Sequence, residues 1–249
     1  MRTPDFIIGG APRSGTTWLC HLLARHPDIG LARPIAPEPK FFLVDELYRR
    51  GLPYYAERWF DGLTQSMIGE KSTNYLESPS AAERIARDLP HARLIFLLRD
   101  PVERAFSNYR WSRAHGHETL DFPAALAAEA SRRVPSNLRY ARPFAYAARG
   151  MYARLLRPYF ARLARDRILL LRFEDIGRDL AATVHRFLGV APRPDDASGL
   201  PPVNGCDHAE AVPPPSRARL AALFAAPDSD LAQLAGIDVS GWTSQRLAA

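Results

Sequence analysis

Apolar positions along the chain alternate between two rhythms. Residues 6–9 form a short apolar run, and a Gly/Pro/Ser turn separates it from 17–26, where Leu19, Leu22 and Leu23 share one helical face before Pro27 ends it. This is strand, turn and helix, half of a βαβ unit. Further strands are predicted at 67–70, 93–99 and 167–172. The second of these is a nearly unbroken apolar run, as a parallel sheet covered on both faces requires. Helical patterns occupy 79–89, where Ser80 and Glu83 have the spacing of a capping box, and then 102–114, 122–133, 145–165 and 175–188. Residues 28–66 are rich in proline and carry Phe41, Phe42, Tyr48, Tyr54, Tyr55, Trp59 and Phe60 at irregular intervals. They read as loops and short helices that offer a wall for a substrate. Prolines crowd 190–215, a long loop, and two modest helices at 216–226 and 229–235 close the chain. Strands alternating with helices make the fold class α/β: a single domain over 1–249, with a central, mostly parallel sheet flanked by helices.

Composition narrows the class without deciding the function. With 47% hydrophobic and 24% charged residues the chain is globular rather than disordered or fibrous. Its longest clean apolar run, 94–98, falls far short of the ~20 residues of a membrane helix, and the N-terminus carries no export pattern. Two cysteines, Cys20 and Cys206, make neither a disulfide framework nor a metal set, so a soluble protein of the reducing cytoplasm is expected. A net charge of +6 suits an anionic ligand, although arginines scattered over helices equally describe a solvated surface. No nucleic-acid-binding motif or aromatic-basic platform accompanies that charge, so a nucleic-acid partner is not expected.

The chemistry concentrates in three places. Gly10 to Thr17 follows a strand and opens a helix, where backbone N–H groups and the helix dipole bind phosphate. Its Gly-x4-Gly spacing is that of a nucleotide triphosphatase loop, but Thr16 stands where that loop needs lysine, and the cation sits earlier, at Arg13. A small-molecule kinase using ATP fits the spacing and is opposed by the missing lysine; a ligand-free turn is the plain alternative. The second place is Arg99 to Tyr109, at the carboxyl end of a predicted parallel strand, where open α/β sheets bind ligands. Ser107 lies eight positions after Arg99, two helical turns, so both contact one anion if the helix returns the hydroxyl. A helix-end salt bridge for Arg99 and a solvated Ser107 is the alternative. The third is Glu38, beside aromatic residues able to desolvate a carboxylate and raise its pKa, a candidate base; by its residues alone, a surface carboxylate is the plain reading.

These strings resemble one family. PRSGTTW, residues 12–18, is similar to the PKSGTTW-type 5′-phosphosulfate loop of PAPS-dependent sulfotransferases, with Arg13 at the position of the family's lysine. Residues 99–109 resemble its 3′-phosphate motif. Residues 38–42 and 51–55 look like the EPxFF and K/R-G-x-x-W/Y-Y elements of the heparan sulfate group, and residues 70–75 like its EKSxxY segment. The resemblance implies a P-loop-containing nucleotide-binding fold and sulfuryl transfer from PAPS to a hydroxyl or amine of a saccharide-like or small-metabolite acceptor. PAP is the second product, and no metal is needed. It assigns the donor to Arg13, Ser14, Gly15, Thr16, Thr17 and Trp18, with Trp18 either on adenine or in the core. The 3′-phosphate goes to Arg99 and Ser107. Glu38 becomes the base, Lys71 a cation close to donor and acceptor, Arg13 a charge on the leaving phosphate, and His115 an aid to proton transfer. One departure stands out: residues 203–212 contain no lysine or arginine where heparan-type members close a basic loop over the donor, which leaves Arg217 or Arg219 as substitutes.

Overall fold

A computed structural model describes residues 2–194, 200 and 210–248. The chain forms two compact units, Met1–Leu98 with Leu155–Val203, and Arg99–Arg154 with Asn204–Ala249. In chain order the elements are β1 (Phe6–Gly10), α1 (Thr16–Leu23), β2 (Ile29–Leu31), α2 (Asp45–Tyr48), α3 (Gly51–Phe60), β3 (Met67–Lys71), a 3-10 turn (Thr73–Glu77), α4 (Pro79–Asp88) and β4 (Arg93–Leu98). Then follow α5 (Pro101–Ala114), α6 (Phe122–Ala128), α7 (Tyr152–Phe160), β5 (Ile168–Arg172), α8 (Leu180–Leu188), α9 (Pro214–Ala235) and α10 (Thr243–Arg246).

The strands among the described residues belong to the first unit and pair in parallel, in the order β2-β3-β1-β4-β5. Side chains alternate across a strand, so Phe6, Ile8, Ile95, Leu97 and Leu171 share one face, which α1 and α8 cover with Leu19, Leu22, Leu23, Leu180, Val184 and Leu188. The opposite face carries Phe96, whose ring meets Tyr159 of α7 edge-on at 4.9 Å. Burial on both faces is why these strands read as continuous apolar runs. Strand β1 lies in the middle, with β3 on one side and β4 on the other. The winding reverses at its carboxyl end, the place where open parallel sheets bind ligands.

The second unit has its own core, with Val102, Ala105, Phe106, Tyr109, Phe122, Leu126, Tyr146, Leu220 and Phe224 as members. Two helices expected at 216–226 and 229–235 are one, α9, which runs through Pro227. Buried positions Leu220, Phe224, Asp228, Leu231 and Ala235 continue one stripe across the proline, and packing of that stripe outweighs the backbone hydrogen bond that proline deletes. The capping box at Ser80 and Glu83 is also corrected: Ser78 caps α4, its hydroxyl accepting Ala81 N–H at 3.1 Å, with Pro79 in the first turn. Strand β2 was not expected. Its three residues are too few to show a period.

Gly10 ends β1 where the turn after β3 crosses it. A Cβ there lies 2.7 Å from Leu76 Cβ and 3.1 Å from the Thr73 carbonyl oxygen. Gly10→Ala is therefore expected to cost about 1–3 kcal/mol in urea denaturation, as overpacking does. A loss under about 0.5 kcal/mol would show that the turn yields instead.

Candidate active site

The segment leaving β1 turns through two left-handed residues, Arg13 at φ 68° and Gly15 at φ 82°. For a residue with a side chain that conformation costs about 1–2 kcal/mol, so Arg13 is held there by its surroundings. Turns of this kind aim successive N–H groups inward, and the N-terminus of α1 follows with no side chain capping it and no acidic residue in its first turn. Ser14 is fully buried, and its hydroxyl has no hydrogen-bond partner. A buried, unsatisfied hydroxyl beside uncapped helix amides is a donor set that a phosphate oxygen completes, so the residues present fit the phosphate of a nucleotide. Thr16 is buried and Thr17 exposed at the same helix start. Trp18 is buried, in one core cluster with Leu19 and Leu22.

Lys71 ends β3 and pairs in register with Ile8 of β1, which brings its side chain to the loop. Its ammonium donates to Glu38 Oε1 at 2.7 Å and to Thr17 Oγ1 at 3.3 Å. Thr73 completes the hold on Glu38, its N–H donating to Oε2 at 3.2 Å and its hydroxyl to Oε1 at 3.0 Å. Three sequence-derived candidates, Thr17, Glu38 and Lys71, thus form one hydrogen-bonded cluster.

Period-two alternation sends Glu70 to the other face from Lys71, into full burial. Three hydroxyls donate to its carboxyl group: Tyr55 at 2.6 Å, Tyr75 at 2.9 Å and Ser72 at 2.6 Å. Burial pushes the Glu70 pKa up to about 7, against the pull of those hydroxyls, and the charge of Glu38 adds to the rise. Two of the hydroxyls also accept backbone N–H groups from the segment that carries Glu38: Ser72 Oγ from Lys40 at 2.9 Å and Tyr75 from Phe42 at 3.1 Å. Sequence reasoning passed over Glu70 as a site residue. An acidic residue inside an otherwise apolar strand was the available signal.

One expectation is corrected here. Phe41 stacks on Tyr55 at 4.3 Å, and Phe42 meets Tyr75 edge-on. Phe41, Phe42, Tyr55, Trp59 and Phe60 are buried, a core cluster rather than an open substrate wall.

In the second unit, Arg99 precedes α5 and Ser107 lies in its second turn, 6% exposed. Asp100 caps α5 by accepting Val102 N–H at 2.9 Å. His115 follows the last turn of α5, exposed, with Nδ1 2.8 Å from the Trp111 carbonyl and its ring 4.6 Å from the Trp111 ring. Arg217 pairs with Glu103 of α5 at 2.9 Å, and Arg219 lines a cavity with Arg132 and Arg142. Residues 203–209 of the non-basic segment, Cys206 among them, lie outside the described residues.

Residues 3–197 match the model of the sulfotransferase domain. The chain belongs to the sulfotransferase family. A sulfotransferase from Alicyclobacillus acidocaldarius is similar in structure, with a TM-score of 0.82 and 30% identity over 97% of this chain and 99% of that one. Among curated proteins, the human bifunctional heparan sulfate N-deacetylase/N-sulfotransferase 3 is 31% identical over 77% of this chain. A membrane-associated sulfotransferase of Dictyostelium discoideum is 39% identical over 44% of it. The chain spans 23% of the length of each of these two relatives. The fold, a central parallel five-stranded sheet flanked by helices, agrees with the P-loop-containing class that the resemblance implied. Among the described residues of this sulfotransferase domain, no helix is long and apolar enough to cross a membrane.

Glu70 and Asp228 both have pKa values raised by burial to about 7, well above the ordinary carboxylate range. A carboxyl group held protonated in the folded state and ionised in the unfolded one makes stability fall as pH rises between the two values. Thermal midpoints are expected to drop from about pH 4.5 to pH 7 in the native chain and to drop less steeply in Glu70→Gln. Parallel profiles would remove Glu70 as a source of that dependence.

Proposed function

We propose that the chain transfers a sulfuryl group from PAPS to a hydroxyl or amine of an acceptor, releasing PAP, with Glu38 as the base. The observation that carries this reading is the cluster of Thr17, Lys71 and Glu38, which joins the phosphate loop to a carboxylate through one ammonium group. In-line transfer forms a bond from the acceptor oxygen or nitrogen to sulfur, breaks the bond from sulfur to the 5′-phosphate oxygen, and delivers the acceptor proton to Glu38. Like phosphoryl transfer, it asks the protein mainly for position and for cations placed where charge develops.

Each residue then has a distinct part. The loop amides, the Ser14 hydroxyl and the start of α1 hold the 5′-phosphate, and Arg13 offsets charge as it departs. Lys71 neutralises charge on the nonbridging oxygens and orients Glu38, a role its contacts with Thr17 and Glu38 support. The resemblance of residues 99–109 to the family motif supports Arg99 and Ser107 as contacts of the 3′-phosphate, which ATP lacks. His115, at the end of α5, is a candidate for proton transfer on the acceptor side. Similarity to the human heparan sulfate enzyme supports a saccharide acceptor, amine or hydroxyl.

Incubation with labelled PAPS and candidate saccharides tests the reaction directly, and PAP should raise the melting temperature where ATP with magnesium does not. Glu38→Gln is expected to lower kcat by about 10²–10⁴-fold, the usual worth of a general base, while PAP affinity in calorimetry stays unchanged. Undiminished turnover would remove Glu38 from that role. Arg99→Ala is expected to weaken PAP binding by about tenfold or more, as loss of a charged hydrogen bond does.

A further inference from the structure

Arg99 and Asp100 lie in the short connection between β4 and α5, outside either element. Other residues of the second unit close on this connection. The Tyr152 hydroxyl donates to the Arg99 carbonyl at 2.9 Å. The Tyr152 ring, 1% exposed, lies 5.8 Å from that of Trp242, also 1% exposed. Asp100 is 5% exposed. While one of its oxygens caps α5, the other accepts both the N–H and the hydroxyl of Thr243, at 2.7 and 2.6 Å.

The segment that supplies these contacts is itself anchored. Ser244, 1% exposed, donates its hydroxyl to Asp228 of α9. Gln245 donates to the Ala225 carbonyl at 2.9 Å and accepts from the Ser229 hydroxyl at 3.2 Å. Capping α5 needs only the bond from Asp100 to Val102. A second carboxylate oxygen bound twice by Thr243, from 143 positions away, does something that the cap does not require. It ties the peptide beside Arg99 to the hydrogen-bonded α9–α10 corner. That corner lies beyond residue 197, where the match to the family model ends.

We propose that Trp242 and Thr243 are positioning residues for donor binding: they clamp Asp100 and, through Tyr152, the Arg99 carbonyl, and so set the direction of the Arg99 side chain toward the 3′-phosphate. The inference rests on the assignment of Arg99 to that phosphate. A clamp of this kind acts before the donor arrives. It lowers the ordering cost of binding without touching the ligand.

The test is a double-mutant cycle read by calorimetry with PAP, using the full chain. Thr243→Val removes the hydroxyl donated to Asp100, and Thr243→Ser keeps it. The valine variant is expected to bind PAP about tenfold more weakly and to raise the KM for PAPS by a similar factor, with kcat at saturating PAPS retained. The serine variant should bind within about twofold of the native chain. In Arg99→Ala the valine substitution should have little further effect, since coupled residues are not additive. Ser78→Ala is the stability control: it removes the cap of α4 without touching the connection or its anchor, so it should lower the melting temperature and leave PAP affinity unchanged. If the valine variant does not fold, Thr243→Ala reads the same bond. Unchanged PAP affinity in a folded Thr243 variant overturns the clamp, as does an equal loss of affinity in Ser78→Ala. Unchanged affinity in Arg99→Ala alone overturns instead the 3′-phosphate assignment.

Discussion

The carboxyl group of Glu70, fully buried at the end of β3, is the constraint that orders the site around it. Burying such a group costs several kcal/mol unless hydrogen bonds replace the lost water, so three hydroxyls from α3 and the turn after β3 must be held against it. Two of those hydroxyls are in turn bound by the backbone of Lys40 and Phe42, in chains of donors that all end on one carboxyl group. The segment bearing Glu38 cannot shift without leaving part of this network unpaired. Lys71, the next residue along the strand, faces the other way by the alternation of the strand itself. One strand end therefore positions both the Glu38 carboxylate and the Lys71 ammonium.

The phosphate loop gains its meaning from that neighbour. A nucleotide triphosphatase loop carries its lysine in sequence, just after the second glycine, where this chain has Thr16. Here the ammonium next to the loop comes from the adjacent strand, Lys71 at 3.3 Å from Thr17. Parallel pairing of β1 with β3 makes this substitution geometrically simple, because the carboxyl ends of neighbouring parallel strands lie side by side. The same ammonium contacts Glu38, so one cation joins the loop to that carboxylate.

In the second unit, Asp100 has the corresponding place. It satisfies the first turn of α5, the helix bearing Ser107, and it receives Thr243 from the far end of the chain. The uninterrupted run of α9 through Pro227 is what lets one helix present both Phe224 to the core and Asp228 to Ser244.

Local pattern determined most of the architecture by itself. Buried parallel strands write themselves as unbroken apolar runs, and a glycine-rich turn between strand and helix marks a phosphate loop, so β1, β3, β4, β5 and residues 10–17 were legible. Strand β2 was too short to carry a period. The proline in α9 is a local stop signal that packing on both sides of it overrode. Glu38 and Lys71 could each be named from the sequence, but their ion pair could not, because 33 positions of chain separate them and only sheet pairing closes that distance. Glu70 read as one acidic residue in a strand. Its role depends on which hydroxyls the fold delivers to a buried carboxyl group, and on how far burial raises its pKa. Those are properties of neighbours in space, which the order of residues along the chain does not state.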